Sequence, residues 1–412
     1  MAGSAKNVTT AGLYKNGGPL QLPFPSIVDL YKFGKIREVL TFRNSNDVNI
    51  RHSPPDVRTG RKWKAEEETD KIITALQHSD IIGHVQTSRS GLGNSGYSPF
   101  SQMNRKERRK AIVGRAKRDE ENSRHTELVT QSQQGQLTSW EDEVEGREVK
   151  WSHLWKWSNY RISFLIKSTF DMMPSPANLF KWKLSADDKC ACGGRGTLFH
   201  IISNCPLGLR TRYTWRHNQV LRVIMDTVKA KLDDINSGKR PQIPDPRRPM
   251  HFHREGQTAT RRTLQTIDDP EWSGAWEMKA DLKGEGFGLP VSLPVETEER
   301  PDMAVFCEVR KKLRLLELTV CWESGMEAAR LRKEKRYATL VKRCEEQGWG
   351  CECLPIEVGA RGFVGNRTMS LFHHLGLSKL DTRKMIDRVQ EAAESASRFV
   401  WNHRSDQDVA TH

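Results

Sequence analysis

The stretch RPDMAVFCEVRKKLRLLELTVCWE, Arg300 to Glu323, decides how the fold is read. Two apolar runs, AVFCEV and LRLLELTV, flank a charged RKK turn, the pattern of two strands joined as a hairpin. Working outward, WEMKADL reads as a strand before the hairpin. After it come a long helix, GMEAARLRKEKRYATLVKRCEEQGW, a strand, CECLPIEVG, and helices near 365 to 377 and 379 to 402. Strand, strand, helix, strand, helix predicts an α/β layered domain.

The hairpin also carries chemistry. Asp302 opens the first strand and Glu317 lies within the second, with 14 residues between them. Two carboxylates brought together at a strand end suit a hard divalent cation such as magnesium, which activates water and offsets charge in an in-line phosphodiester displacement. The nuclease pattern PD-(D/E)xK places a lysine two residues beyond the second acid, where this chain has Thr319. The following helix supplies cations instead. Lys333 is the first choice for the catalytic lysine, with Lys335 and Arg336 as rivals.

A second cluster lies upstream in KCACGGRGTLFHIISNC, Lys189 to Cys205. Its pattern is Cys190-x-Cys192-x7-His200-x4-Cys205, thiolates and an imidazole suited to a closed tetrahedral zinc site. Glycines at 193, 194 and 196 let the chain bend, and Leu198, Phe199, Ile201 and Ile202 set His200 and Cys205 on a short helix against apolar surface. Such a site stabilises a small module and performs no chemistry. A further metal site from Cys344, Cys351 and Cys353 competes with a plainer reading, since alternation in a strand puts Cys351 and Cys353 on one core face.

Composition points to an anionic partner. The 412 residues include 66 Lys and Arg against 52 Asp and Glu, a net charge of +14, which favours nucleic acid without specifying a fold. The charged helix NRKERRKAIVGRAKRDEENSRH supplies candidate nucleic-acid contacts in Arg105, Lys106, Arg108, Arg109 and Lys110, and it also reads as a nuclear-import segment or a plain solvated helix. Arg216 and His217 in RYTWRHNQVL are two more candidates. No apolar run approaches the roughly 18 residues that cross a membrane, so a soluble intracellular protein is expected. GLGNSG at 91 to 96 matches a dinucleotide loop only formally, lacking the strand and helix that such a loop needs. It reads as linker, as does the H-x-H pair at His251 and His253.

These features divide the chain into a flexible N-terminus (1–20), a helical connector with a Ser/Gly-rich linker and the basic helix (21–139), and a Trp-rich helical region with the zinc window (140–235; window 190–205). A Pro-rich basic linker (236–268), the α/β domain (269–402) and a tail (403–412) complete it. In the connector, Ile27, Val28, Leu30, Tyr31, Phe33, Val39 and Leu40 are the expected buried positions of one amphipathic segment. The tryptophans around 140 to 182 are expected to pack a helical layer.

Taken together, the CCHC window, RYTWRHNQVL, RPD with an acid 14 residues on, ELTVCWE, KRYATL, GW and LPIEVGARGF resemble the C-terminal region of non-long-terminal-repeat retrotransposon polyproteins that carry a restriction-like endonuclease. LPFPSIVDLY, VRTGRKW, GLG and MPSPANL look like the connector between reverse transcriptase and zinc knuckle. The resemblance spans roughly residues 20 to 377. It implies a PD-(D/E)xK fold, structural zinc on Cys190, Cys192, His200 and Cys205, and catalytic magnesium on Asp302 and Glu317. It also implies DNA and element RNA as partners, target nicking in the nucleus, and a polymerase supplied by another chain, because LSADDKC at 184 to 190 is a polar loop rather than a polymerase turn. A nucleic-acid-binding protein without catalysis, a relic of such an element or one recruited by the host, is the second reading, favoured by Thr319.

Overall fold

In LRLLELTV every other side chain must face the same side of a sheet, and both sets carry leucines, Leu313 and Leu315 on one side and Leu316 and Leu318 on the other, so this strand calls for a packed layer on each face. A computed structural model of the chain, which describes residues 8–82, 99–237, 242–243, 265–266, 275–282 and 288–405, supplies both layers. The chain forms two compact units, one built from 6–136 and 148–157, the other from 137–147 and 158 onward. The principal elements are numbered below in chain order. Among the described residues no helix is long and apolar enough to cross a membrane. GLGNSG, His251 and His253 lie outside the described residues.

The first unit is helical, with α1 (Ile27–Arg43), α2 (Ala65–Ile82) and α3 (Arg105–Val129). Ser26 caps α1 through its hydroxyl, and a reciprocal Asn104–Glu107 capping box starts α3, which meets the need of the first-turn N–H groups for acceptors. Its core joins Phe33, Ile36, Leu40, Ile72, Ile112, Val113 and Ala116. This corrects the expected buried set. Phe33, Val39 and Leu40 are buried, whereas Ile27, Val28, Leu30 and Tyr31 are exposed, because the Ile27 and Tyr31 positions continue at helical spacing into Lys35 and Glu38 on the solvent side. Trp151 and Trp155 are exposed as well, so these two do not join the expected packed layer.

The second unit is built on a four-stranded sheet. Its elements are α4 (Asn159–Thr169), α5 (Pro176–Lys181), α6 (Arg212–Asn236), β1 (Glu277–Ala280), β2 (Met303–Cys307), β3 (Lys312–Cys321), α7 (Met326–Glu346), β4 (Gly350–Gly359), α8 (Thr368–His374) and α9 (Lys379–Asn402). The strands lie in the order β1-β2-β3-β4, antiparallel for the first two pairings and parallel between β3 and β4. Helix α7 makes the crossover that a parallel pair requires.

Alternation sorts the two faces. Met303, Val305, Leu316, Leu318, Ile356 and Val358 pack with Val220, Leu221, Ile224 and Val228 of α6 and with α9. Ala304, Phe306, Leu313 and Leu315 pack with Tyr337, Leu340 and Cys344 of α7. Glu317 shares the parity of Leu313 and Leu315 and therefore faces α7. Helix α6, grouped by sequence with the zinc window, is thus one layer of the α/β core.

At the far end of β4 a buried ion pair ties the last loop down. Arg361 Nε lies 2.6 Å from Glu323 Oε2, and the Arg361 backbone N–H donates to Glu323 Oε1 at 2.8 Å. The guanidinium is sandwiched between Trp322 and Trp140, 3.9 and 4.3 Å from the ring centres. This is Trp140's place, buried as the sequence suggested.

Candidate carboxylate centre and zinc window

Asp302 stands one residue before β2, and Glu317 lies on the neighbouring β3, one step beyond the last β2 pairing, Met303 with Leu316. Their backbones and carboxylates interlock. Asp302 N–H donates to Glu317 Oε2 at 3.1 Å, and Leu318 N–H donates to Asp302 Oδ2 at 2.7 Å. Lys333 Nζ donates to Glu317 Oε1 in a tight ion pair. Helical geometry selects this lysine from the three candidates: Lys333, Tyr337, Leu340 and Cys344 recur at i, i+4, i+7 and i+11, the stripe that faces the sheet. Lys335 and Arg336 are exposed, and Arg336 stacks beside Tyr337 instead.

The structure adds a residue to this centre. His217 of α6, expected at a nucleic-acid surface, places Nε2 3.3 Å from Asp302 Oδ2 and 3.3 Å from Leu318 O, while Nδ1 lies 3.2 Å from Asn218 Oδ1. Burial alone lowers an imidazole pKa, but the hydrogen bond and charge of Asp302 outweigh it and hold His217 above its ordinary value. Asp302 Oδ2 is thus held from two sides. Among the described residues Oδ1 has no partner, and it is the oxygen available to a cation. Tyr337 donates its hydroxyl to Arg300 O at 3.1 Å, and its pKa is raised, first by burial and then by the Glu317 charge.

Arg216 also departs from its expected surface role. It is buried, with N–H groups reaching Ile202 O at 2.5 Å, Ser397 Oγ at 3.2 Å and Val320 O at 3.3 Å. It ties the zinc window, α9 and β3 together, and burial drives its pKa down to about 10. A guanidinium so enclosed cannot meet a phosphate. Arg108 stays exposed while donating to Phe100 O and Ser101 O, which pins the turn before α3.

The zinc window closes as its spacing predicts. The ligand atoms of Cys190, Cys192, His200 and Cys205 all lie within 4.8 Å of one another. Cys190 Sγ and Cys205 Sγ are 3.9 Å apart, close to the about 3.8 Å edge of a tetrahedron with Zn–S bonds near 2.3 Å. Cys192 Sγ and His200 Nε2 are 3.1 Å apart. The four can therefore hold zinc. Gly193 supplies a left-handed turn at φ +84°, a conformation open to glycine without strain, and Gly196 sits where a Cβ would strike Pro176.

The Gly194 N–H holds the Cys192 thiol below its ordinary pKa, burial pushes Cys205 up to about 11, and burial lowers the His200 pKa. Tyr213 acts as a strut: its hydroxyl accepts from Cys205 N–H at 3.0 Å and donates to Ile201 O at 2.8 Å. Ile201 and Ile202 are buried as expected, whereas Phe199 is half exposed and meets Trp322 edge-on. Cys344 and Cys351 belong to the core under α7, and among the described residues they form no ligand cluster with Cys353.

No known protein family and no characterised protein matches the chain.

Proposed function

We propose that this protein is a magnesium-dependent DNA endonuclease of the restriction-like PD-(D/E)xK type, which nicks target DNA in the nucleus and handles nucleic acid through its zinc knuckle. On this reading it derives from a non-long-terminal-repeat retrotransposon. The observation that carries the proposal is the ion pair of Lys333 with Glu317 beside Asp302. It supplies the cation that Thr319 fails to supply, from the next element of the chain.

The donor set fits a hard cation: two carboxylates at one strand end, with Asp302 Oδ1 unpartnered among the described residues. Magnesium held there by Asp302 and Glu317 would supply positive charge to the scissile phosphate and acidify water. The protein's own groups do the positioning. His217 and the Leu318 N–H hold Asp302 Oδ2, leaving Oδ1 for the cation. Lys333 holds Glu317 and offers an ammonium group to an incoming phosphate, a preorganised charge of the kind that stabilises phosphoryl-transfer transition states.

The competing reading, a binding protein without catalysis, draws on Thr319. Supercoiled plasmid and magnesium separate the two. The nuclease reading expects wild type to convert the plasmid to open circles and Asp302→Ala to bind DNA without cutting; equal nicking by both proteins sinks the catalytic assignment, and binding with no nicking by either supports the alternative.

A further inference from the structure

Helix α3 divides its cations into two sets. Arg108 is bound to two carbonyl groups, Arg115 to Asp119, and Arg124 to Asp29 and Glu121. Lys106, Arg109, Lys110, Lys117 and Arg118, by contrast, make no ion pair and no side-chain hydrogen bond among the described residues. They are exposed and, joined by Arg37 of α1, line one groove of about 890 Å³.

Helical spacing explains the convergence. Positions 106, 109/110, 113/114 and 117/118 follow one another at three or four residues, a single stripe of the helix. Between the two basic clusters stand Val113 and Gly114, and with Met103 and Ala111 they give the groove an apolar floor. The acid in the lining, Glu107, is already engaged, since its carboxylate accepts from Asn104 N–H at 3.0 Å in the capping box. Six like charges held along one groove against the single carboxylate of Glu107 leave a net positive charge and repel one another. An anion with regularly spaced charges relieves that repulsion.

The geometry points to a binding groove for a nucleic-acid phosphodiester backbone in the first unit, separate from the carboxylate centre. The stripe from Lys106 to Arg118 extends about 18 Å at 1.5 Å per residue, long enough for several consecutive phosphates, and the uncharged floor between the basic clusters accommodates the sugar faces. Arg105 and Arg108 lie outside this lining, so the set differs from the cations grouped by sequence alone. The inference does not rest on the nuclease reading, because the groove contains neither Asp302 nor Glu317 and binding is measured without cleavage.

The test uses the full chain without magnesium and fluorescent duplex DNA, single-stranded DNA and single-stranded RNA, titrated across a series of KCl concentrations. The double variant Lys110→Gln with Lys117→Gln is compared with Lys35→Gln with Lys64→Gln, which removes the same charge from cations already paired with Glu38 and Glu67. Unchanged thermal melting confirms that both variants fold. The groove variant is expected to bind at least about tenfold more weakly and to lower the slope of log K against log[KCl] by about 2 on duplex, or about 1.4 on single strands. The control should leave the slope unchanged. Loss on duplex, on single strands or on both supports the groove and identifies its ligand. Equal effects of the two variants overturn the proposal, as does intact nucleic-acid binding with selective loss of binding to phosphatidylserine vesicles.

Discussion

His217 Nε2 lies 3.3 Å from Asp302 Oδ2, joining a helix on one side of the sheet to the acid at the end of β2, 85 residues further along the chain. The neighbouring Arg216 holds the zinc turn through Ile202 O. Two consecutive residues of α6 thus reach the zinc window and the carboxylate centre.

The His217 contact has a measurable consequence. Removing a partner that orients a metal ligand typically costs about 10- to 100-fold in metal affinity or activity. His217→Ala is expected to weaken Mn²⁺ binding by this order, measured calorimetrically, and to slow nicking in step, with His217→Gln recovering part of both. Unchanged Mn²⁺ affinity in a folded His217→Ala protein contradicts the positioning role.

The zinc window predicts about one zinc per chain. Cys205→Ser should lose the metal and lower the melting temperature, since a structural site contributes its binding free energy to folding. Cys344→Ser should retain the metal, because Cys344 is a core residue under α7. Elemental analysis of the two purified variants decides the matter; zinc lost from Cys344→Ser contradicts the assignment.

The Arg361–Glu323 pair predicts a large stability effect. Breaking a buried pair leaves an uncompensated charge, at a cost of about 3–5 kcal/mol. Arg361→Ala should fall in that range by urea denaturation. A loss below about 1 kcal/mol, the value usual for an exposed pair, contradicts the buried-pair account.

Glu357 supplies a pH prediction. Burial pushes its carboxyl up from 4.5 to about 7, against the pull of Arg330, and no ion pair offsets the burial among the described residues. A group whose folded pKa is raised contributes stability that is fully present below its unfolded pKa and is lost as pH rises through the folded value. The loss here spans pH 4.5 to 7 and amounts to about 3 kcal/mol. Glu357→Gln should remove that slope and be the more stable protein at pH 8. Parallel stability-against-pH curves for the two proteins contradict the assignment.

Much of the second unit was legible in its sequence because the signals are local. The alternation of LRLLELTV, the stripe Val220, Leu221, Ile224 and Val228, and the spacing of the four zinc ligands each lie within a few turns of chain. Lys333 was legible as a first choice with Lys335 and Arg336 as rivals, since deciding among neighbours requires the helix phase relative to the sheet. Arg216, buried in the structure, was read as a surface contact, and the place of His217 beside Asp302 was not read from the sequence. A basic residue on a helix reveals its charge, but not the carbonyl or carboxylate that folding brings to it from more than 80 residues away. The error at Ile27, Val28, Leu30 and Tyr31 has a related cause: an apolar residue in the first turn of a helix is core only if another element covers that face.

The most direct measurement is the rate of nicking of supercoiled DNA in magnesium by wild type, Lys333→Ala and Lys335→Ala. Loss of one preorganised charge from a phosphoryl-transfer centre is expected to slow the chemistry by about 100-fold or more. The account predicts that loss for Lys333→Ala and a near wild-type rate for Lys335→Ala, whose side chain is exposed. Equal rates for the two variants, or a loss confined to Lys335→Ala, would contradict an active centre built from Asp302, Glu317 and Lys333.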